Sequence, residues 1–243
     1  MDRKEASTKM KLGIMQPYFF PYIGYWQLLA AVDKYIIYDD VNFIKGGWIN
    51  RNRILNGKNV QYFNVQMEGA SSFKHINQIN VQKNDVYVEK SKKTLWNAYH
   101  KAPFFESAFP VITDILDCEE INLAKYLEYS IKAVCRYLNI NTEILDSSQI
   151  EKNSFLKGEE KVIDICKHMG ANKYYNAIGG KDLYNFSNFK SQGIKLLFLQ
   201  PGEIEYNQGT GAFIPNLSII DVMMNNSVEK IYEFLNNYVL IGE

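Results

Sequence analysis

The stretch KLGIMQPYFFPYIGYWQLLAAVDKYIIYDDV, residues 11–41, decides the fold. It begins with KLGIM, which is typical of a short buried strand, and passes through a proline-rich turn into GYWQLLAA, which contains good helix formers. YIIY, residues 35–38, is a β-branched and aromatic run that is followed by two aspartates. Strand, loop, helix and strand within about thirty residues form a βαβ unit, whose strands should be parallel and whose crossover should be right-handed.

The last third of the chain repeats this alternation. Its strand-like runs are TEILDSS (142–148), KYYNAIGG (173–180) and IKLLFLQ (194–200), and its helix-like runs are KGEEKVIDICKHMG (157–170), DLYNFSNFKSQG (182–193), SIIDVMMNN (218–226) and VEKIYEFLNNYVL (228–240). Two further strand-like runs are VQYFNVQM (60–67) and HINQINV (75–81). We therefore predict an α/β fold, with a mainly parallel sheet of βαβ units and helices on both faces.

The middle of the chain is helical in character. Its strongest helix is predicted at residues 121–138, where apolar residues recur at steps of three and four. We expect a single α/β domain at residues 11–243 with a helical insertion at 86–140. The polar residues 1–10 should form a flexible N-terminal tail.

Composition excludes several classes of protein. Twenty-seven basic residues balance twenty-seven acidic ones, so no global charge favours nucleic acid. The cysteines, Cys118, Cys135 and Cys166, are widely spaced, which favours a reducing compartment and argues against structural zinc. No signal-peptide pattern follows the first residues, and the apolar runs fall short of the ~20 residues that a membrane span needs. We expect a cytoplasmic protein with no membrane partner and no metal.

In an open parallel sheet, ligands bind outside the carboxyl ends of the strands, near the point where strand order reverses. Four segments should lie at such ends, and they are residues 16–25, 39–52, 179–181 and 200–206. Their convergence is inferred from topology, and no single motif establishes it.

The predicted catalytic residues are Asp40, Asp39, Lys45 and His75. Adjacent residues on a strand point to opposite faces, so one of the two aspartates should face the ligand while the other caps the next turn. Such carboxylates could bind a metal, an amine or a sugar hydroxyl, and we predict that Asp40 faces the ligand and that Asp39 is the cap. An aspartate that only caps the next loop is an equally good interpretation of this pair. His75 lies on a strand-like run and has no sequence cue that links it to a carboxylate.

The predicted substrate-binding residues are polar, aromatic or glycine residues of the same four segments. They are Gln16, Tyr18, Tyr22, Tyr25, Trp48, Asn50, Arg51, Asn52, Gly179 and Gly180. Trp48 could stack on a base or sugar, and Lys45 and Arg51 could hold phosphate or carboxylate. The glycine pair could offer backbone N–H groups to an anion at a helix start, although the full dinucleotide fingerprint is missing. An ordinary basic turn would have the same composition as residues 43–53.

The segment from Tyr22 to Tyr25, YIGY, resembles the layout of nucleotidylyltransferases and class I synthetases. In those enzymes a His-x-Gly-His element opens the helix beneath a nucleotide phosphate. Here tyrosines occupy both histidine positions, and a phenol cannot supply a positive charge at pH 7. The resemblance therefore implies a related layout in which the adenylylating chemistry is lost or altered.

Four blocks of the sequence, taken in order, resemble the WbqC family of bacterial proteins. They are MQPYFFPYIGYWQLL, DKYIIYDDVNFIKGGWINRNRI, KYYNAIGGKDLY and FIPNLSIIDVMMNN. That family is linked with O-antigen and other surface-polysaccharide biosynthesis, lipopolysaccharide included, and some members are described as glycine transferases. The resemblance implies an acyl or aminoacyl transferase that forms an amide on the amine of a nucleotide-linked amino sugar, for example a dTDP-linked one. In such an enzyme Asp40 would orient or deprotonate the amine. The donor would be a glycyl or other acyl group activated by ATP or by another route, and nucleic acid would take part only if the donor were an aminoacyl-tRNA. Two alternatives stay open, which are a non-catalytic sugar-nucleotide binder of the same pathway and a degenerate nucleotidylyltransferase-like enzyme.

Overall fold

A computed structural model describes residues 9–209 and 211–243. The strands are β1 (Lys11–Met15), β2 (Lys34–Ile37), β3 (Arg51–Asn56), β4 (Asn59–Asn64), β5 (Met67–Glu68), β6 (Asn80–Val81), β7 (Glu143–Asp146), β8 (Lys173–Ala177), β9 (Lys195–Pro201) and β10 (Tyr238–Ile241). The α-helices are α1 (Ile23–Ala30), α2 (Asp85–Tyr99), α3 (Phe105–Asp117), α4 (Leu123–Tyr137), α5 (Gly158–His168), α6 (Phe186–Ser191), α7 (Ile219–Asn225) and α8 (Val228–Leu235). Short 3₁₀ turns lie at Ile76–Gln78, Ser147–Gln149 and Ile178–Leu183.

The central sheet has the strand order β10-β9-β8-β1-β2-β7. The pairings β1 with β2, β1 with β8, β2 with β7 and β8 with β9 are all parallel, and β10 is antiparallel to β9. The chain builds outward from β1 through β2 to β7, and then returns to the other side of β1 for β8 and β9. Strand order therefore reverses between β1 and β8, which is the topological switch point of a doubly wound sheet.

Alternation along the strands separates two apolar layers. Leu12, Ile14 and Ile36 pack with residues of α5 and α6 on one face. Tyr35 and Ile37 pack on the other face, where α1, α4, α7 and α8 contribute to the larger core. The predicted α/β fold, with helices on both sides of a mainly parallel sheet, is confirmed.

Two local predictions are wrong. The last residues of the run at 228–240 form β10 instead of continuing the helix, because α8 ends before Asn236 and Asn237 and the β-branched residues beyond them complete the sheet beside β9. The run HINQINV is mostly a 3₁₀ turn with a two-residue strand, since its apolar residues alternate only in part. In addition, β3 and β4 form an antiparallel hairpin outside the central sheet, so part of the expected loop at 39–52 is strand.

The segment predicted as a helical insertion, residues 86–140, contains most of α2 and all of α3 and α4. Residues 1–8 of the predicted tail lie outside the described residues. No helix in residues 9–209 or 211–243 has both the length and the apolar composition needed to cross a membrane.

Candidate functional site

The aromatic loop after β1, residues 16–22, joins two other parts of the chain. On one side, the backbone N–H of Phe19 donates to the carbonyl of Trp48 at 3.2 Å. On the other side, the hydroxyl of Ser218 donates to the carbonyl of Phe20 at 2.8 Å. Phe20 has a φ of +43°, a left-handed conformation that costs a bulky residue about 1–3 kcal/mol and persists where the surroundings enforce it. The conformation of residues 16–22 therefore depends on contacts with two distant parts of the chain, the turn at Trp48 and the start of α7 at Ser218.

Most of the aromatic side chains in this segment are core. Phe19, Phe20 and Tyr25 are at most 3% exposed, and the hydroxyl of Tyr25 donates to the carbonyl of Gln16 at 3.3 Å. Burial raises the pKa of Tyr25 far above its ordinary value. The predicted ligand contact of Tyr25 would therefore require the core to open, whereas Tyr18, Tyr22 and Gln16 are half-buried and lie closer to the surface.

Gly24 is required by its neighbour Tyr22. A Cβ at this position would lie 2.5 Å from the ring of Tyr22, so the tyrosine ring occupies the space that the missing side chain leaves. The close approach that the glycine permits is thus to Tyr22 itself.

The block from Lys45 to Asn52 begins in an exposed turn and ends in β3. Lys45 and Trp48 are exposed, and the guanidinium of Arg51 donates to the carbonyls of Gly46 and Gly47. Asn52 is buried, and its amide donates to the carbonyl of Phe19 at 3.4 Å.

Asn50 is half-buried, and its side-chain amide donates to the carbonyl of Val65 at 3.5 Å. Arg51, Asn52 and Asn50 therefore all hold the local backbone in place, while Lys45 and Trp48 face solvent.

Asp39 connects three segments at the carboxyl end of β2. Its carboxylate is 2% exposed and accepts hydrogen bonds from the backbone N–H of Ser148 at 2.9 Å and from the Ser148 hydroxyl at 2.5 Å. The amide of Asn77 donates to it at 3.2 Å. Asp39 thus ties the end of β2 to the residues after β7 and to the 3₁₀ turn that follows His75.

Asp40 lies between two lysines at the same strand end. Its Oδ2 forms ion pairs with Lys152 Nζ at 3.0 Å and with Lys161 Nζ at 3.1 Å. The side chains are 17%, 7% and 11% exposed for Asp40, Lys152 and Lys161, so the pairs are largely shielded from water. Lys161 also donates to the carbonyl of Asp40 at 3.0 Å and lies 4.9 Å from the centre of the Tyr38 ring.

The carboxylate of Asp40 is held in its ionised form. Burial alone raises its pKa, but the neighbouring Ser147 hydroxyl and the ammonium groups of Lys152 and Lys161 outweigh burial, so the pKa lies below its ordinary value. Oδ1 of Asp40 is buried and accepts no hydrogen bond of good geometry from residues 9–209 and 211–243. Lys152 Nζ also donates to the carbonyls of Ser147 and Ile150, so its donors are already used within the chain. The cluster therefore carries a net positive charge and one buried carboxylate oxygen with unused acceptor capacity.

The remaining predicted residues are more dispersed. His75 is exposed, and its backbone pairs with Asn42 in an isolated bridge. Gly179 and Gly180 lie in a 3₁₀ turn after β8, so they do not start an α-helix. A Cβ on Gly180 would lie 3.0 Å from the side chain of Asn176.

A cavity of about 650 Å³ opens at the carboxyl end of β9. Its lining includes Glu203, Glu205, Tyr206 and Phe213, and no Lys, Arg or His belongs to the lining that the structure describes. The rings of Tyr206 and Phe213 meet edge to face at 5.1 Å. Such a lining is chemically suited to a polyhydroxylated or cationic ligand.

A buried carboxylate, that of Asp221 on α7, supports the wall of this cavity. It accepts hydrogen bonds from the hydroxyl of Tyr206 at 2.7 Å, the amide of Gln208 at 3.0 Å and the hydroxyl of Tyr99 at 3.0 Å. Burial raises the pKa of Asp221, and these three donors oppose the rise. Tyr206 is thereby fixed in orientation where it faces the cavity.

Among the described residues, no group of three or more His, Cys, Asp or Glu side chains is placed to hold a metal ion. The model of the WbqC-like protein family matches residues 16–233, which is most of the chain. The chain belongs to the WbqC-like protein family. It is also 28% identical over 222 residues to "Uncharacterized protein Rv1507c" of Mycobacterium tuberculosis strain ATCC 25618 / H37Rv, a match that covers 90% of this chain and 95% of the relative. No solved structure matches the chain.

The WbqC-like match spans both the Asp40 cluster and the Asp221 network, although sequence analysis missed Lys152, Lys161 and Tyr206. For Lys161 a signal existed, because it is one turn before the buried Ile165 and so lies on the apolar stripe of α5. A lysine on such a stripe needs a buried partner. For Lys152, which lies outside regular structure, no comparable pattern exists.

Proposed function

We propose that this chain is a cytoplasmic transferase of bacterial surface-polysaccharide synthesis, acting on O-antigen or lipopolysaccharide precursors. It would form an amide between a glycyl or other acyl group and the amine of a nucleotide-linked amino sugar. The observation that carries the proposal is the Asp40 cluster, in which one carboxylate and two lysines are held together at the carboxyl end of β2.

The charges of the cluster complement those of such a substrate. A nucleotide-linked amino sugar carries an anionic diphosphate and an amine. The net positive charge of the cluster attracts the former, and Oδ1 of Asp40 is the acceptor for the latter. The side chain of Asp40 is 17% exposed, but its Oδ1 is buried, so binding of the amine requires a local movement that uncovers this oxygen. The strand order of the sheet, which is that of nucleotide-binding doubly wound folds, supports a nucleotide at this edge.

In the proposed reaction the nitrogen of the sugar amine attacks the carbonyl carbon of the donor. A C–N bond forms, the bond from that carbon to the leaving group breaks, and the amine proton departs with the leaving group or to solvent. Because the pKa of Asp40 is lowered, its carboxylate is a weak proton acceptor at neutral pH. Its role is therefore to orient the amine, and glycine has to arrive activated, through ATP or another donor.

The same low basicity of Asp40 favours one alternative, a non-catalytic sugar-nucleotide binder. The degenerate nucleotidylyltransferase hypothesis is supported by the strand order. It is weakened by Tyr25, which is buried in the core at a position where a phosphate-binding histidine would stand.

The test is to incubate the purified protein with a dTDP-linked amino sugar and glycine plus ATP, or with glycyl-tRNA, and to follow the sugar by mass spectrometry. We expect a glycyl mass increment that is lost in Asp40→Asn and kept in Asp182→Asn, whose carboxylate is exposed. Saturable binding of the sugar nucleotide without turnover for any donor would contradict the transferase proposal and favour the binder.

A further inference from the structure

The β3–β4 hairpin presents an unusual charge pattern for a protein with no net charge. Residues 41–67 contain four cationic side chains, Lys45, Arg51, Arg53 and Lys58, and no aspartate or glutamate. The hairpin has one buried face, which includes Ile54 and Phe63, and one face turned outward. Alternation places Arg51 and Arg53 on the face opposite Ile54, with Tyr62 paired across from Arg53, and Lys45 and Lys58 are exposed in the turns that precede β3 and join β3 to β4.

Two exposed aromatic rings lie among these cations. Trp48 is 41% exposed and Tyr62 is 56% exposed. The guanidinium of Arg51 lies 4.5 Å from the centre of the Tyr62 ring, and that of Arg53 lies 5.8 Å from the Trp48 ring. Each guanidinium is anchored to a backbone carbonyl, so both rings and both charges are held in fixed positions.

We propose that this face of the hairpin binds single-stranded RNA, with bases stacked on Trp48 and Tyr62 and phosphates beside the four cations. Sequence-tolerant binding of single strands combines a basic surface with aromatic stacking platforms. As an identification of the donor, this inference rests on the proposed function, because an aminoacyl group would arrive on the single-stranded 3′ end of a tRNA. The binding itself does not depend on that reaction.

The extent of the surface favours a polynucleotide over a single nucleotide. Arg51 begins β3 and Lys58 is at the tip of the hairpin, and a six-residue strand extends about 20 Å at about 3.4 Å per residue. A nucleoside diphosphate carries its charges within a few ångströms, so it could meet only part of this row. A strand of linked phosphates can meet all of it.

Other occupants fit less well. A second copy of the chain would place four cations against four cations across a twofold contact, which is repulsive. A membrane surface would attract the charges, but the tip of the hairpin, Asn56 to Asn59, is polar and has no side chain suited to insert among acyl chains.

The test is fluorescence anisotropy of the full-length protein with a short labelled single-stranded RNA that ends in CCA. Trp48→Ala and Tyr62→Ala should each weaken binding by about 5- to 150-fold, which corresponds to 1–3 kcal/mol for each stacked base. The matched control is Trp96→Ala, because Trp96 is 48% exposed, is stacked on His100 and belongs to α2, outside the hairpin strands. It should bind as the unmodified protein does.

Salt provides a second readout. Four phosphate contacts predict that log K falls with log salt concentration with a slope of about −3. Lys45→Gln and Lys58→Gln, which change exposed side chains and so leave folding intact, should each reduce the slope by about 0.7.

Three outcomes would overturn the inference. They are the absence of saturable binding at low salt, equal losses in Trp48→Ala and Trp96→Ala, and Trp48-dependent binding to phosphatidylglycerol vesicles without binding to RNA. Turnover with glycine and ATP but no RNA binding would overturn this inference while leaving the proposed function intact. RNA binding without any turnover would leave this inference intact and contradict the proposed function.

Discussion

Replacing Asp40 by asparagine should destabilise the protein by about 2–4 kcal/mol. The two ion pairs are 3.0 and 3.1 Å long, and each corresponds to an attraction of about 5 kcal/mol at an effective dielectric constant of 20. Most of that attraction is offset by the desolvation of the charges. Removing one partner of a buried pair costs about 3–5 kcal/mol, and we take a lower range because Asp40 is 17% exposed.

The matched control is Glu143→Gln. The pair of Glu143 with Lys34 is also 3.0 Å long, but its side chains are 52% and 30% exposed. Water screens that pair, so its loss should cost less than about 1 kcal/mol. Two pairs of nearly equal length but different burial therefore separate the effect of burial from that of distance.

Urea unfolding followed by circular dichroism measures both free energies. In the Asp40→Asn background, Lys161→Met should cost less than it does in the unmodified protein, since the ammonium that it removes has already lost its counter-charge. A cost below about 1 kcal/mol for Asp40→Asn, or strict additivity with Lys161→Met, would refute the structural role assigned to the cluster.

The pH dependence of the unfolding free energy follows from the same ion pairs of Asp40 with Lys152 and Lys161. Because the folded pKa of Asp40 is below the unfolded value of about 3.9, the ionised carboxylate stabilises the fold. That stabilisation is complete above the unfolded pKa and is lost as pH falls through the folded one. The unfolding free energy of Asp40→Asn should therefore fall less steeply than that of the unmodified protein below about pH 4.

Three further perturbations test other parts of the account. Asp39→Asn leaves one oxygen where Ser148 needs two acceptors, so it should cost about 1.5–3 kcal/mol in urea unfolding, and no loss would contradict the bonding described. Gly24→Ala should lower the thermal midpoint because its Cβ would meet the Tyr22 ring at 2.5 Å, and truncating that ring to alanine should relieve the loss. Burial raises the pKa of the Cys135 and Cys166 thiols to about 12, so replacing these two cysteines should leave turnover intact, and a trapped acyl-thiol adduct on either would contradict this.

The fold was predictable because its signals are local. The strand and helix runs of residues 11–41 each carry their own periodicity, and short βαβ connections leave little choice of handedness. The exceptions depend on partners far away in the chain. Residues 238–241 become a strand because β9 offers an edge there, and no local pattern announces that edge.

The candidate site was predictable in its location and less so in its members. Asp39 and Asp40 do lie together at the end of β2, but the group that Asp39 binds, Ser148, is 109 residues away. Of the two lysines that pair with Asp40, Lys152 lies in the loop before α5 and Lys161 lies on α5 itself, more than 100 residues after Asp40 in the chain. Tyr25 is buried, and the sequence could not show this, since an aromatic residue at the start of a helix has the same sequence pattern whether it faces a ligand or the core.

The central claim is that the Asp40 cluster binds a nucleotide-linked amino sugar through its amine. Calorimetry can compare a dTDP-linked amino sugar with the dTDP sugar that carries a hydroxyl at the same carbon. The unmodified protein should prefer the amine by about tenfold or more, in line with about 1.5–3 kcal/mol for a hydrogen bond to a charged group, and Asp40→Asn should lose that preference. Equal affinity for the two sugars, or a preference that survives in Asp40→Asn, would contradict the account.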